Sequence, residues 1–190
     1  MINKPLYFEG SFCEIRTKNM LERIRTATGI GVKIGVIDSG WDRSLIDNRV
    51  RKGIGFVNPQ DELLLKVSSD DNDLNGHGTA CTDTILRIAP DSFIYPIKVF
   101  GKNIETSPNI LLEGINWAIK KELKIINISL GTLRKEALTP LYKICEIARR
   151  RRMILVAAKS NVDTSSFPAI FENVIGVESG NFESIFNYEF

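Results

Sequence analysis

The chain has 190 residues, 43% of them hydrophobic and 25% charged, and 25 Lys+Arg against 23 Asp+Glu leave a net charge of +2. That length holds one domain with a sizeable core, and that charge balance asks for neither a nucleic-acid nor a membrane partner. No apolar run nears the ~20 residues of a membrane-spanning helix, and the N-terminus lacks the long apolar stretch of a secretory signal, so a cytoplasmic location is expected.

In chain order, Met20, Leu21, Ile24 and Ala27 recur at helical spacing and Gly29 closes them, which predicts a helix over 18–28. "VKIGVID" (32–38) and "GIGFV" (53–57) read as buried strands, and the polar, acidic stretch 58–75 reads as a loop. A helix is predicted from Thr79 to Ile88, a strand over 92–100, and a helix over 109–122 with Ile110, Leu111, Ile115, Ala118 and Ile119 on one side. "KIINISL" as strand, 136–150 as helix, and "MILVAA" and "NVIGVES" as strands complete the chain. Strands that alternate with helices and are continuously apolar predict a parallel sheet covered on both faces. Chemistry in such sheets gathers at the carboxyl ends of the strands.

Asp38 stands at the first of those ends. By itself it reads as a turn aspartate, as a phosphate-handling carboxylate, or as the acceptor that orients a histidine. Gly29, Gly31 and Gly35 are not a dinucleotide fingerprint, because they precede or lie within the strand instead of following it. His77 is the only histidine in the chain. It sits between two glycines at a helix start, where the dipole disfavours imidazolium and keeps the ring able to accept a proton. Cys13, Cys81 and Cys145 are odd in number and widely spaced, and read as buried free thiols. Ser129, Leu130 and Gly131 by themselves read as a plain strand-to-loop exit.

"VIDSG" followed by "NGHGTACTDTI", "IAPDSFIYPIKVF", "ILLEGINWAIKKELKIINISLGT", "MILVAAKSN" and "FPAIFENVIGVES" resembles the subtilases, the subtilisin-like serine peptidases, over roughly residues 30–178. The resemblance implies an α/β fold with a three-layer, doubly wound, mostly parallel sheet. Residues 1–29 then form an N-terminal segment and helix, and 30–190 an incomplete subtilisin-like peptidase domain. It implies that Asp38 orients His77 and that His77 is the general base. Ser129, Leu130 and Gly131 would pair with a polypeptide substrate in extended conformation, and Asn161, or Ser160, would stand in the oxyanion position. It also implies a cis bond at Phe167–Pro168 and no cofactor.

The sequence departs from the family at several points. The Gly-Thr-Ser-x-Ala turn that carries the nucleophile occurs nowhere in these 190 residues. Ser165 and Ser166 precede the Pro-Ala turn, and Ser39 and Ser129 belong to other motifs. The chain is therefore expected to be a peptidase domain cut short of its serine and inactive alone; the alternative is a catalytically inactive peptide- or protein-binding module. Lys159 replaces a glycine in Ala157-Ala158-Lys159-Ser160-Asn161, which disturbs the oxyanion segment. Only "TACTDTILRI" separates "HG" from "AP", leaving no room for a calcium loop, and Asp47 would lack partners, so no metal is expected. The basic run 148–153 reads as a solvated helix end, and Asp70, Asp71 and Asp73 as a solvated loop that favours basic substrates.

Overall fold

The computed structural model describes residues 26–57, 66–100, 106–160 and 165–180. Within these, seven strands make one sheet: β1 (Lys33–Asp38), β2 (Ile54–Val57), β3 (Lys66–Ser68), β4 (Phe93–Lys98), β5 (Ile125–Ile128), β6 (Ile154–Ala158) and β7 (Ile175–Val177). Their spatial order is β3-β2-β4-β1-β5-β6-β7. Every pairing is parallel except β2 with β3. Chain order turns back at β1, which has β4 on one side and β5 on the other, so the loops leaving the carboxyl ends there part and open a crevice.

Among the described residues, three α-helices cover the sheet: α1 (His77–Ile88), α2 (Pro108–Lys120) and α3 (Leu138–Arg150). The side-chain period of two sends Ile34 and Val36 of β1 to one face and Ile37 to the other. Ile34 and Val36 pack with Ile94 and with Leu86 of α1. On the opposite face, Ile37, Ile97, Ile126, Ile128 and Leu155 meet Ile110, Leu111, Ile115 and Ile119 of α2 and Leu141 and Cys145 of α3. The five α2 residues expected on one side are all buried. Each large one contributes about 1.5–3 kcal/mol by leaving water. Ser107 caps α2 by accepting from the Ile110 N–H, and Pro108 occupies the first turn, where its missing N–H has no partner to lose.

Among the described residues, no helix covers one quarter of the sheet. In register, Ile125 lies beside Ile154, Asn127 beside Val156 and Ile175, and Ala158 beside Val177. These residues share the α1 face, but α1 reaches only the β1 side. Ile154, Ile175 and Val177 are 50%, 54% and 48% exposed, while Leu155 and Ala157 on the other face of β6 are buried.

Two expectations change. The stretch 58–75 is not wholly loop, because Lys66–Ser68 forms β3, antiparallel to β2 at the sheet edge. Three residues of a polar segment give too short an alternation to read as a strand. The helix expected from Thr79 begins two residues earlier, at His77. Of the helix expected over 18–28, residues up to 25 lie outside the described ones and Thr26 alone is helical. The Phe167–Pro168 bond is cis.

Candidate active site

Asp38 is the last residue of β1 and His77 the first of α1, and the fold brings them together across 39 positions of sequence. The imidazole Nδ1 lies 2.9 Å from both carboxylate oxygens. Both are acceptors, so Nδ1 carries the ring proton and donates it, which leaves the Nε2 lone pair open. Asp38 is fully buried, and its Oδ1 also accepts the Ser39 N–H at 2.7 Å. The His77 side chain is half exposed. An anchored carboxylate thus faces a ring that solvent and ligands can reach.

What holds α1 against β1 is the segment between residues 71 and 79. Gly76 takes a φ of 93°, a conformation that favours glycine, and offers no side chain to cap the helix. Asp73 does that work from three positions further back. Its Oδ1 accepts the Asn75 and Gly76 N–H groups and its Oδ2 accepts the Thr79 N–H and hydroxyl. The Thr79 hydroxyl oxygen in turn accepts the Asp42 N–H at 3.0 Å, and the Ser39 hydroxyl oxygen accepts the Gly78 N–H at 2.9 Å. Beneath this loop the buried Lys98 donates to the Asn72 carbonyl. Asp71 is buried under an ion pair with Arg43.

The acidic stretch is therefore no solvated loop. Asp71 and Asp73 are buried and spent on internal bonds, Asp70 faces Lys98, and the expected attraction of basic substrates loses its basis. Burial works against ionised Asp73, but the hydrogen bonds from Thr79, Gly76 and Asn75 outweigh it and hold its carboxyl far below the usual range. A depressed folded-state pKa stabilises fully above the unfolded value of about 3.9 and loses that stabilisation progressively as pH falls from there through the lower folded value. In urea unfolding, Asp73→Asn should be less stable than the parent at pH 7. The gap should narrow between about pH 5 and pH 2; a constant gap would remove Asp73 from the acid response.

Cys81 is not the fully buried thiol expected. It is half-buried, four residues after His77, with Sγ 3.8 Å from Nδ1 and 3.8 Å from the Ser129 Oγ. Burial and the charge of Asp38 push the thiol up to about 11, so it is protonated at neutral pH and makes a poor nucleophile. The His-x-x-x-Cys spacing, which places both residues on one helix face, was the sequence signal for this contact.

Beside the pair lies a cavity of about 790 Å³ lined by His77, Cys81, Ser129, Leu130, Gly131 and Lys159 among others. Ser129 leaves β5 with its N–H on the Ile37 carbonyl, and its Oγ accepts from Asn127 Nδ2. Of the two oxyanion candidates, Asn161 lies outside the described residues. The Ser160 N–H donates to the buried Ser166 hydroxyl at 2.9 Å. Lys159 reaches Glu178 at 3.3 Å. Asp47 is bound to Arg49. In the basic run, Arg149 and Arg150 pair with Glu146 at the end of α3.

A profile described as Subtilase family matches residues 29–184. Subtilisin DY of Bacillus licheniformis is 31% identical over 164 residues, which cover 78% of this chain and 56% of that protein. A subtilisin of Bacillus pumilus is 32% identical over 162 residues, covering 81% and 58%. The chain thus spans little more than half the length of these relatives. Among solved structures, a lanthipeptide protease has a TM-score of 0.62 at 23% identity, covering 85% of this chain and 50% of that one. The epidermin leader peptide processing serine protease of Staphylococcus aureus gives 0.63 at 20%, covering 84% and 48%. These two likenesses establish the α/β fold.

Proposed function

The chain belongs to the subtilase family, and we propose that it carries the aspartate–histidine part of a serine endopeptidase whose nucleophile comes from a segment these 190 residues do not include. The observation that carries this reading is the pair itself: a buried carboxylate 2.9 Å from Nδ1 of a half-exposed histidine that lines a cavity. In the proposed reaction His77 Nε2 takes the proton of the incoming serine as the hydroxyl attacks a peptide carbonyl, then returns it to the leaving amine. Asp38 keeps the tautomer and steadies the imidazolium. Ser129, Leu130 and Gly131 pair with an extended polypeptide along the cavity wall, and Asn161 or Ser160 donates to the oxyanion.

The bare quarter of the sheet supports the same reading. Ile154, Ile175 and Val177 offer an apolar bed, with Val177 on the wall of the His77 cavity, on which a further helix can lie. The chain alone should bind a hydrophobic dye and associate with rising concentration in size exclusion; a dye-silent monomer at high concentration would count against an unfilled bed.

Two observations favour a second reading, a binding module: no Gly-Thr-Ser-x-Ala motif occurs in these 190 residues, and Lys159 sits in the oxyanion segment. A chimaera separates the two. The chain alone should not label with a serine-directed phosphonate probe or cleave casein. Joined to the serine-bearing segment of the Bacillus pumilus relative, it should do both. A chimaera that folds, by circular dichroism, yet never labels would favour the binding module.

A further inference from the structure

Cys81 has no part in the proposed reaction, yet its sulfur stands beside the two groups that do. His77 and Cys81 share a face of α1, and Asp38 meets them from the end of β1. Nδ1 is 2.9 Å from each carboxylate oxygen and 3.8 Å from Sγ, and one ligand atom from each residue lies within 4.8 Å of the others. A tetrahedral Zn²⁺, with bonds of about 2.0 Å to nitrogen and oxygen and 2.3 Å to sulfur, sets its ligand atoms about 3.2–3.5 Å apart. Nδ1 is thus within a few tenths of an ångström of those spacings from both partners, and Sγ and the carboxylate, within 4.8 Å of one another, would draw together onto one ion.

We propose that Asp38, His77 and Cys81 form an inhibitory site for a thiophilic divalent cation of the Zn²⁺ type. The donor set decides the class. One thiolate, one imidazole and one carboxylate suit Zn²⁺ and its softer neighbours, whereas Ca²⁺ and Mg²⁺ want oxygen alone. Carboxylate and thiolate together cancel the two positive charges, which matters where Asp38 is fully buried. His77 and Cys81 line the cavity, from which water can complete the shell.

The protons balance as follows. The metal–sulfur bond forms as the thiol releases its proton to solvent. The metal–nitrogen bond forms at Nδ1, whose proton is lost there while Nε2 gains one, so the ring stays neutral. One proton leaves per ion bound. The ring now carries its proton on Nε2 and cannot accept another, so the base is switched off. That last consequence rests on the peptidase reading; the binding itself does not.

Co²⁺ is the probe, because thiolate ligation gives it a charge-transfer band that oxygen and nitrogen ligands do not. Titrated into the 190-residue chain, it should give this band with one equivalent bound, and Zn²⁺ but not excess Ca²⁺ or Mg²⁺ should erase it. Cys81→Ser and Cys81→Ala, each checked for fold by circular dichroism, should lose the band and bind Zn²⁺ at least ~100-fold more weakly, since loss of even an outer-shell partner costs 10- to 100-fold. No band from the folded parent chain, or an unchanged band in a folded Cys81 variant, overturns the site. In the chimaera, Zn²⁺ should inhibit labelling reversibly, and Cys81→Ala should relieve that inhibition at least tenfold. A chimaera that never labels while the chain binds one Co²⁺ through Cys81 strikes the peptidase reading and leaves the metal site standing.

Discussion

In a domain completed with its serine, His77→Ala should lower kcat by about 10⁶-fold, and Asp38→Asn by about 10⁴-fold. The first magnitude is the one known for subtilisin itself, a relative, and the second is that of aspartate loss in serine triads; neither is derived from this chain. The geometry explains why the two should differ. Without the ring nothing accepts the serine proton. With an amide at position 38 the ring survives, but the amide's NH₂ can face Nδ1 as a donor, which favours the tautomer whose proton sits on Nε2. Because Asp38 is fully buried and its Oδ1 also takes the Ser39 N–H, asparagine can keep its carbonyl there and turn its NH₂ towards the ring. Steady-state kinetics on a peptide anilide would read both effects. An Asp38→Asn enzyme within tenfold of the parent would mean that the carboxylate does not set the tautomer.

How much of this was legible beforehand differs from element to element. β1, β5 and β6 are rich in Ile, Val, Leu and Ala, interrupted by Gly35 and Asn127, and either lie buried on both faces or back onto α2 and α3; a mostly apolar run is the trace such burial leaves in a sequence. β3 left no such trace, because an edge strand of three residues packs little and can be polar. Asp38 and His77 carried their meaning in order and context. "VIDSG" before "GHGTA" is a resemblance to a family, and periodicity alone could not have paired two residues 39 apart.

The acidic stretch misled for a physical reason. A run of aspartates usually stays in water, yet here each carboxylate oxygen of Asp73 finds two donors within six residues. The signal was present as an Asp two residues before an Asn-Gly turn and six before a threonine, a pattern in which one carboxylate can reach the Asn75, Gly76 and Thr79 N–H groups while Ser39 takes that of Gly78. Cys81 was read by type rather than by place. Free cysteines are mostly buried, and only its spacing from His77 marked this one as part of the site.

Gly78→Ala should cost the completed domain at least about 100-fold in kcat and the chain about 1–3 kcal/mol in stability. A Cβ at position 78 would stand 2.4 Å from the Gly40 carbonyl oxygen, 2.9 Å from the Gly40 nitrogen and 3.2 Å from the Asp38 Cβ. Two of those three atoms are backbone and cannot turn aside. Gly40 cannot retreat easily either, since its φ is 112° and the site of its own missing Cβ is 2.3 Å from the Asp71 carbonyl oxygen. The helix must therefore back away from the strand end. That movement stretches the Gly78 N–H bond to Ser39 and carries His77, one residue earlier, off Asp38. A misplacement near 1 Å is enough for the 100-fold loss. The Nδ1 proton gives a readout that instability alone would not move: its downfield NMR resonance should shift upfield or vanish in the folded variant. If Gly78→Ala keeps that resonance and full kcat, close contact between α1 and the end of β1 is not what aligns the pair.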